Sequence, residues 1–437
     1  MSRAANRLAG WLLPVLLALA AAPAPAAEEY AFDAAQFEKK TFEIGGYLQF
    51  RQEHFSLNPG GAYYKLGAYN LPQRTTLDAT TATLDLTGKW RLGEGTFEFR
   101  TNSVAARDQW QHDSSNKLYE GVYSLRPDPK LTLEAGKKVM RWGKGYAWNP
   151  VGFVERPKDP NDPLLPREGY WMTDADYILN RDGPLQTIAF TPVVLPVQSH
   201  LNSDFGNTGY LNPAAKLYLL WNDTDIDFMW LGKGSRPSRF GADFSRNVTS
   251  NFEVHGEWAR VQQFTKPVAA ANGSVVNETG NVTSYLLGLR YLTEGDTTYI
   301  LEYYRNGTGY TEQQASQFYQ KVDTAFDRYQ QTGNQSMLRK AATLGQGSYG
   351  RPNAGENYLY FRAQQKDAFG MLYFQPALTA MMNVQDRSYQ VTPELLYTGV
   401  DNLELRMKFF MLQGGASTEF GEKLTSRRLE LYARYYF

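Results

Sequence analysis

Arg428-Leu429-Glu430-Leu431-Tyr432-Ala433-Arg434-Tyr435-Tyr436-Phe437 ends the chain, and its reading decides the fold. Side chains of an extended strand alternate between two faces. Leu429, Leu431, Ala433, Tyr435 and Phe437 therefore share one face, and Arg428, Glu430, Tyr432, Arg434 and Tyr436 share the other. A strand in a soluble sandwich alternates in the same way. The pattern alone leaves open whether the apolar face meets a core or something else.

A terminal Phe preceded by apolar or aromatic residues at alternate positions resembles the C-terminal signal of bacterial outer-membrane β-barrels. The resemblance implies an all-β fold, a transmembrane antiparallel β-barrel. It also implies outer-membrane lipid and lipopolysaccharide as surroundings, and the barrel-assembly machinery as a partner of the last strand. Such a chain should carry a secretion signal, many similar strands, and turns that alternate between short and long.

The composition agrees. The 437 residues include 24 Phe, 29 Tyr and 9 Trp, yet the mean hydropathy is −0.49. A helical membrane protein needs apolar runs of about 20 residues, and the one comparable run lies at the N-terminus. A barrel spreads its apolar residues over alternate positions and stays polar on average. The absence of Cys excludes disulfides, thiolate metal sites and Cys nucleophiles. Lys and Arg number 45 and Asp and Glu 45, a balance that argues against nucleic acid.

Residues 1–26 read as a signal peptide: Arg3 and Arg7, an apolar run from Leu8 to Ala22, then Ala24-Pro25-Ala26. An uncleaved anchor is the alternative, and the shortness of the run speaks against it. Residues 27–41 read as a short periplasmic lead, and 42–437 as the barrel. Strand-like segments recur from Phe42 to Phe437, about 18 of them (16–18), separated by turn residues such as Arg126-Pro127-Asp128-Pro129 and Asn180-Arg181-Asp182-Gly183. Tight turns are expected near 91–95, 126–130, 180–184, 223–224, 247–250, 293–296, 367–370 and 398–402. Longer links are expected at 56–74, 107–116, 141–169, 194–215, 264–283, 307–356 and 413–426. Short turns would face the periplasm and long loops the outside.

Lipid-facing Arg or Lys at mid-depth costs about 2–4 kcal/mol. Charges opposite apolar rows should therefore line the lumen. They are Glu98, Arg100, Glu134, Asp225, Asp227, Glu253, His255, Glu257, Glu302, Arg362, Glu404, Arg406, Lys408, Glu430 and Arg434. Pairing across strands that simply fills the barrel is the competing reading. The mixture of signs argues against strong ion selectivity.

Loop 141–169 is the third long link, and it resembles the inward-folding third loop of general porins in position. Pro150, Pro157, Pro160 and Pro163 stiffen it. Arg141, Trp142, Lys144, Tyr146, Trp148, Arg156, Lys158 and Asp159 are its candidate constriction residues; a rigid external cap is the alternative. In the largest loop, 307–356, Phe318, Val322, Phe326 and Tyr329 recur at helical spacing.

No zinc spacing or phosphate loop occurs. His255, between Glu253 and Glu257, is the one candidate for barrel-enzyme chemistry, and no enzyme, cofactor or metal site is expected. The resemblance instead implies an outer-membrane porin or channel for passive diffusion of small hydrophilic solutes. An export conduit for polysaccharide, or a barrel scaffold sheathing an electron-transfer partner, is the alternative. A homo-oligomer and a bound partner protein both stay open.

Overall fold

The computed structural model describes residues 40–270 and 272–437. The proposed signal peptide and nearly all of the lead lie outside the described residues. The compact unit Phe42–Phe437 is one closed antiparallel sheet of 18 strands. In chain order these are β1 (Phe42–Leu57), β2 (Thr76–Leu92), β3 (Gly95–Asp108), β4 (His112–Asp128), β5 (Leu131–Lys138), β6 (Tyr170–Asn180), β7 (Leu185–Val197), β8 (Tyr210–Trp221) and β9 (Thr224–Leu231). They continue as β10 (Arg239–Thr249), β11 (Phe252–Ala269), β12 (Val275–Leu292), β13 (Thr297–Arg305), β14 (Asn357–Gln365), β15 (Phe374–Asn383), β16 (Tyr389–Val400), β17 (Leu403–Gln413) and β18 (Thr425–Tyr436).

Every strand pairs with its neighbours in sequence, and β18 closes the ring on β1. The seam extends to the last residue. Phe437 N–H donates to Gly46 O at 3.1 Å, and Gly46 N–H donates to Phe437 O at 3.1 Å.

The alternation read from the sequence sets the two faces. Leu48, Phe50, Phe228, Trp230, Trp258, Leu301, Met407, Leu431 and Tyr435 are exposed on the outside. Gln49, Glu53, Asp227, His255, Glu302, Glu404 and Glu430, on the other face, are buried. This inverts a soluble protein and suits a sheet surrounded by lipid.

The turn between β8 and β9 has the local chemistry expected of it. Asn222 and Asp223 lie at φ 47° and 57° and join β8 to β9 in a two-residue hairpin, the conformation that Asn and Asp tolerate best after Gly. The opposite end differs most from expectation at two places. Strands β3 and β4 run on until 109–111 is all that joins them, and β11 and β12 until only 270–274 remains. Stretches such as Asp113-Ser114-Ser115-Asn116 lack an apolar face, so periodicity misses them. Their backbones still pair with the neighbouring strand.

Loop 306–356 carries the expected helix, Glu312–Thr332, and a second, Ser336–Leu344. Thr311 caps the first: it accepts from Gln314 N–H, and Gln314 answers on the Thr311 N–H. Phe318, Tyr319, Val322, Ala341, Leu344 and Tyr349 form a small core with Ala62.

Candidate functional site

Between β5 and β6 the chain leaves the wall and crosses the barrel interior. Its partners identify the route. Lys144 Nζ lies 3.0 Å from Asp227 on β9. Glu257 on β11 accepts from the N–H groups of Lys144 at 2.7 Å, Gly145 at 2.6 Å and Val151 at 3.3 Å. Glu302 on β13 accepts from Tyr146 N–H and from Ala147 N–H, the latter at 2.9 Å. Trp148 Nε1–H reaches Asn353 Oδ1 at 3.1 Å. Further on, Asp162 meets Lys408 at 3.2 Å and Arg406 at 3.8 Å on β17.

This route follows from the loop's composition. Trp142, Val151, Phe153 and Val154 are buried against Met172, Leu195, Val197, Met229 and Leu231 of the wall. Burying a large apolar side chain contributes about 1.5–3 kcal/mol, enough to hold a polar backbone inside a barrel if its N–H groups are met. The two carboxylates meet five of them. Gly143 sits at φ 99°, and a Cβ there would come 2.8 Å from Glu257 Oε1, so glycine is what allows the close approach.

The sequence candidates thus divide. Glu257 and Glu302 are 3% and 0% exposed. Their oxygens face loop N–H groups rather than open space. His255 is wedged between Glu302 at 3.0 Å and Glu253 at 3.5 Å, behind the loop. Asp227 serves Lys144, and Asp225 accepts from Tyr218 Oη–H at 2.6 Å. A mixed network covers the wall from β14 to β18. Arg362 pairs with Glu394 at 3.1 Å, Arg406 with Glu404 at 2.9 Å, and Arg434 with Glu404 at 3.6 Å. Glu430 lies 3.9 Å from Arg428 and 4.0 Å from Arg51. Arg100 pairs with Asp85 at 2.8 Å; Glu98 pairs with Lys89, and Glu134 with Lys138.

Within the loop, Trp142 packs edge-on to Phe153, and Trp148 stacks on Tyr304. Tyr146 lies against Tyr360. Arg156 covers Tyr170 and bonds the carbonyls of Glu168 and Gly169. Lys158 Nζ bonds Gly145 O. Arg141 and Asp159 stay exposed. Glu155 is buried beside Arg167 at 2.9 Å. Burial raises its carboxyl to about 7, although Arg167 draws it back.

Sequence reading missed one feature. A recess of about 270 Å³ lies between the loop and the β10–β13 wall. Lys158, Arg236, Arg239 and Arg351 line it, with Trp148 and Tyr304. Among the described residues no carboxylate comes within ion-pair distance of Arg236, Arg239 or Arg351. Arg236 instead lies over Phe205 at 3.9 Å, and Arg351 donates to Thr308 O. The one acid in the lining, Glu155, belongs to Arg167. A recess of about 370 Å³ lies on the other side of Pro352-Asn353 and includes Asn161, Gln390 and Arg428. The signal in the sequence was slight. Arg236-Pro237 and Arg351-Pro352 repeat one dipeptide in two separate loops and Pro157 precedes Lys158, so Pro fixes the backbone beside three of the four cations.

No family model matches the sequence, and no curated protein matches it. Solved structures do. OpdQ of Pseudomonas aeruginosa aligns with a TM-score of 0.52 at 10% identity, over 91% of this chain and 99% of OpdQ. OccAB1 of Acinetobacter baumannii aligns with 0.52 at 12% identity, over 90% and 96%. OccK2 (OpdF) of Pseudomonas aeruginosa, in complex with glucuronate, aligns with 0.50 at 10% identity, over 91% and 98%. The fold is that of outer-membrane β-barrel porins. At these identities the likeness is one of fold.

Proposed function

We propose that the chain is an outer-membrane porin through which small hydrophilic solutes diffuse passively, with 141–169 as its constriction. The observation that carries this reading is the loop's course through a closed barrel, tied to β9, β11, β13 and β17. A cap resting outside would have no use for Glu257 and Glu302. The paired charges of the β14–β18 wall line the remaining path and keep it wet. Lys158, Arg236, Arg239 and Arg351 mark the recess as the place where an anionic, carboxylate-bearing solute pauses, because guanidinium groups lacking protein carboxylates are met best by a ligand's oxygens.

Planar-bilayer recordings in a salt gradient test both parts. The wild-type chain should give steady conductance steps with a reversal potential displaced toward anions. Arg239→Gln with Arg351→Gln should move that potential toward neutrality, and glucuronate should reduce the current of the wild type more than that of the variant. A folded barrel that gives no steps overturns the channel and leaves a scaffold for a partner as the better reading. Steps with an unchanged reversal potential in the variant overturn the anion site alone.

A further inference from the structure

The connection from β14 to β15 is unlike the others at its end of the barrel. Those are polar: Gly93-Glu94, Pro129-Lys130, Asn222-Asp223, Ser250-Asn251 and Asp401-Asn402. This one reads Lys366-Asp367-Ala368-Phe369-Gly370-Met371-Leu372-Tyr373. Phe369 is 86% exposed and Leu372 68%, with Met371 and Tyr373 about half exposed.

The turn is built. The Asp367 carboxylate accepts from Tyr373 N–H at 2.6 Å, and Thr398 N–H donates to Tyr373 O at 3.2 Å. Asp367, Phe369 and Tyr373 hold φ of 47°, 60° and 64°, a region that side chains with a Cβ disfavour. A backbone held in that region at three such residues, with apolar side chains displayed at the tip, points to a use for the display.

Its direction identifies the partner. The Phe369 ring lies 6.4 Å from that of Phe374, the first residue of β15. Phe374 pairs with Tyr397 of β16, and both fall on the outward face, in phase with the exposed Leu378 and Leu395. On β13 and β14, Tyr299 and Phe361 stack at 6.2 Å on the same face. The apolar tip thus lies against a residue of the outward face at this rim. Aromatic belts mark the membrane–water boundary.

We propose that the turn 366–373 is a wedge seated in the inner leaflet of the outer membrane. Phe369, Met371 and Leu372 enter the boundary between headgroups and acyl chains, and the partner is phospholipid. Tyr373 sits at that boundary as amphipathic rings do, and Lys366 offers a cation to lipid phosphate. The proposal rests on reading the barrel as membrane-spanning.

The chain has no Cys, so a single introduced thiol labels one place. Leu372→Cys and Phe369→Cys, each carrying a nitroxide, are reconstituted as the full chain in vesicles of phosphatidylethanolamine and phosphatidylglycerol. Asn402→Cys and Leu431→Cys serve as the turn and lipid-face references. Collision with dissolved oxygen, against a water-soluble nickel chelate, reports depth. Labels at 369 and 372 should favour oxygen several-fold more than the label at 402, and approach the label at 431. A water-like ratio at 369 and 372 with a lipid-like ratio at 431 overturns the wedge and leaves the barrel reading intact. A water-like ratio at 431 overturns the barrel reading and the wedge with it. Water-like labels that become immobilised only with periplasmic extract assign the turn to a protein and also overturn the proposal.

Discussion

Glu302 is fully buried on β13 and bonded to two consecutive loop N–H groups and to His255. A buried carboxylate with this many donors is an anchor, because each donor left behind would be an unmet polar group in a dry place. Glu302→Ala should cost about 3–5 kcal/mol, the range for removing one partner from a buried charged cluster. Guanidine unfolding in vesicles measures it. Single-channel records should at the same time show irregular switching between conductance levels. A stable, quiet variant would mean that the loop is held without this side chain. The sequence supplied the face on which Glu302 lies. It did not supply the partner, because Tyr146 and Ala147 offer backbone N–H groups, which every residue has, and they lie more than 150 residues away along the chain.

The 141–169 loop is legible in the sequence as stiff and aromatic, since Pro, Gly and Trp each leave a local mark. The 18 strands were legible for a similar reason: lipid on one side and water on the other impose the strictest alternation a sheet can carry. What escaped was anything assembled from several loops. Arg236 and Arg351 each precede a proline and Arg239 lies two residues beyond Pro237, but only the folded ring brings the three to one recess. The burial of Glu155 leads to a pH effect at this scale. Its carboxyl is raised in the folded state to about 7, so the folded state holds its proton more tightly than the unfolded chain does. The stability linked to it is complete below the unfolded value, near 4.3 for Glu as a rough reference, and is lost as pH rises through about 7. The wild type should therefore lose more stability between pH 5 and pH 8 than Glu155→Gln does. Melting temperatures of both proteins across that range decide it, and parallel curves would refute the assignment.

For the whole molecule, the two faces of the last strand predict opposite responses to charge. Leu431 is exposed on the outside, opposite Met407 of β17 and Gln52 of β1. Leu431→Lys should cost roughly 2–4 kcal/mol if it lies near the bilayer midplane. Glu430→Lys, one residue away, points inward and should instead disturb its pairing with Arg428 and Arg51. The distinguishing measurement is unfolding free energy in thin- and thick-lipid vesicles. Only the Leu431 variant should depend on bilayer thickness, and equal dependence of both would mean that the faces have been exchanged.

Four of the loop's attachments to the wall also have a mechanical meaning. A ring of strands joined only edge to edge flattens easily, since an oval and a circle of equal perimeter can share the same hydrogen bonds. Lys144, Glu257, Glu302 and Asp162 tie chords across that ring, from the β5–β6 wall to β9, β11, β13 and β17. They act as spokes in a wheel, limiting how far the rim can go out of round. The elastic compliance of the barrel, and its tolerance of lateral pressure from a crowded membrane, are then governed by four side chains as much as by the sheet.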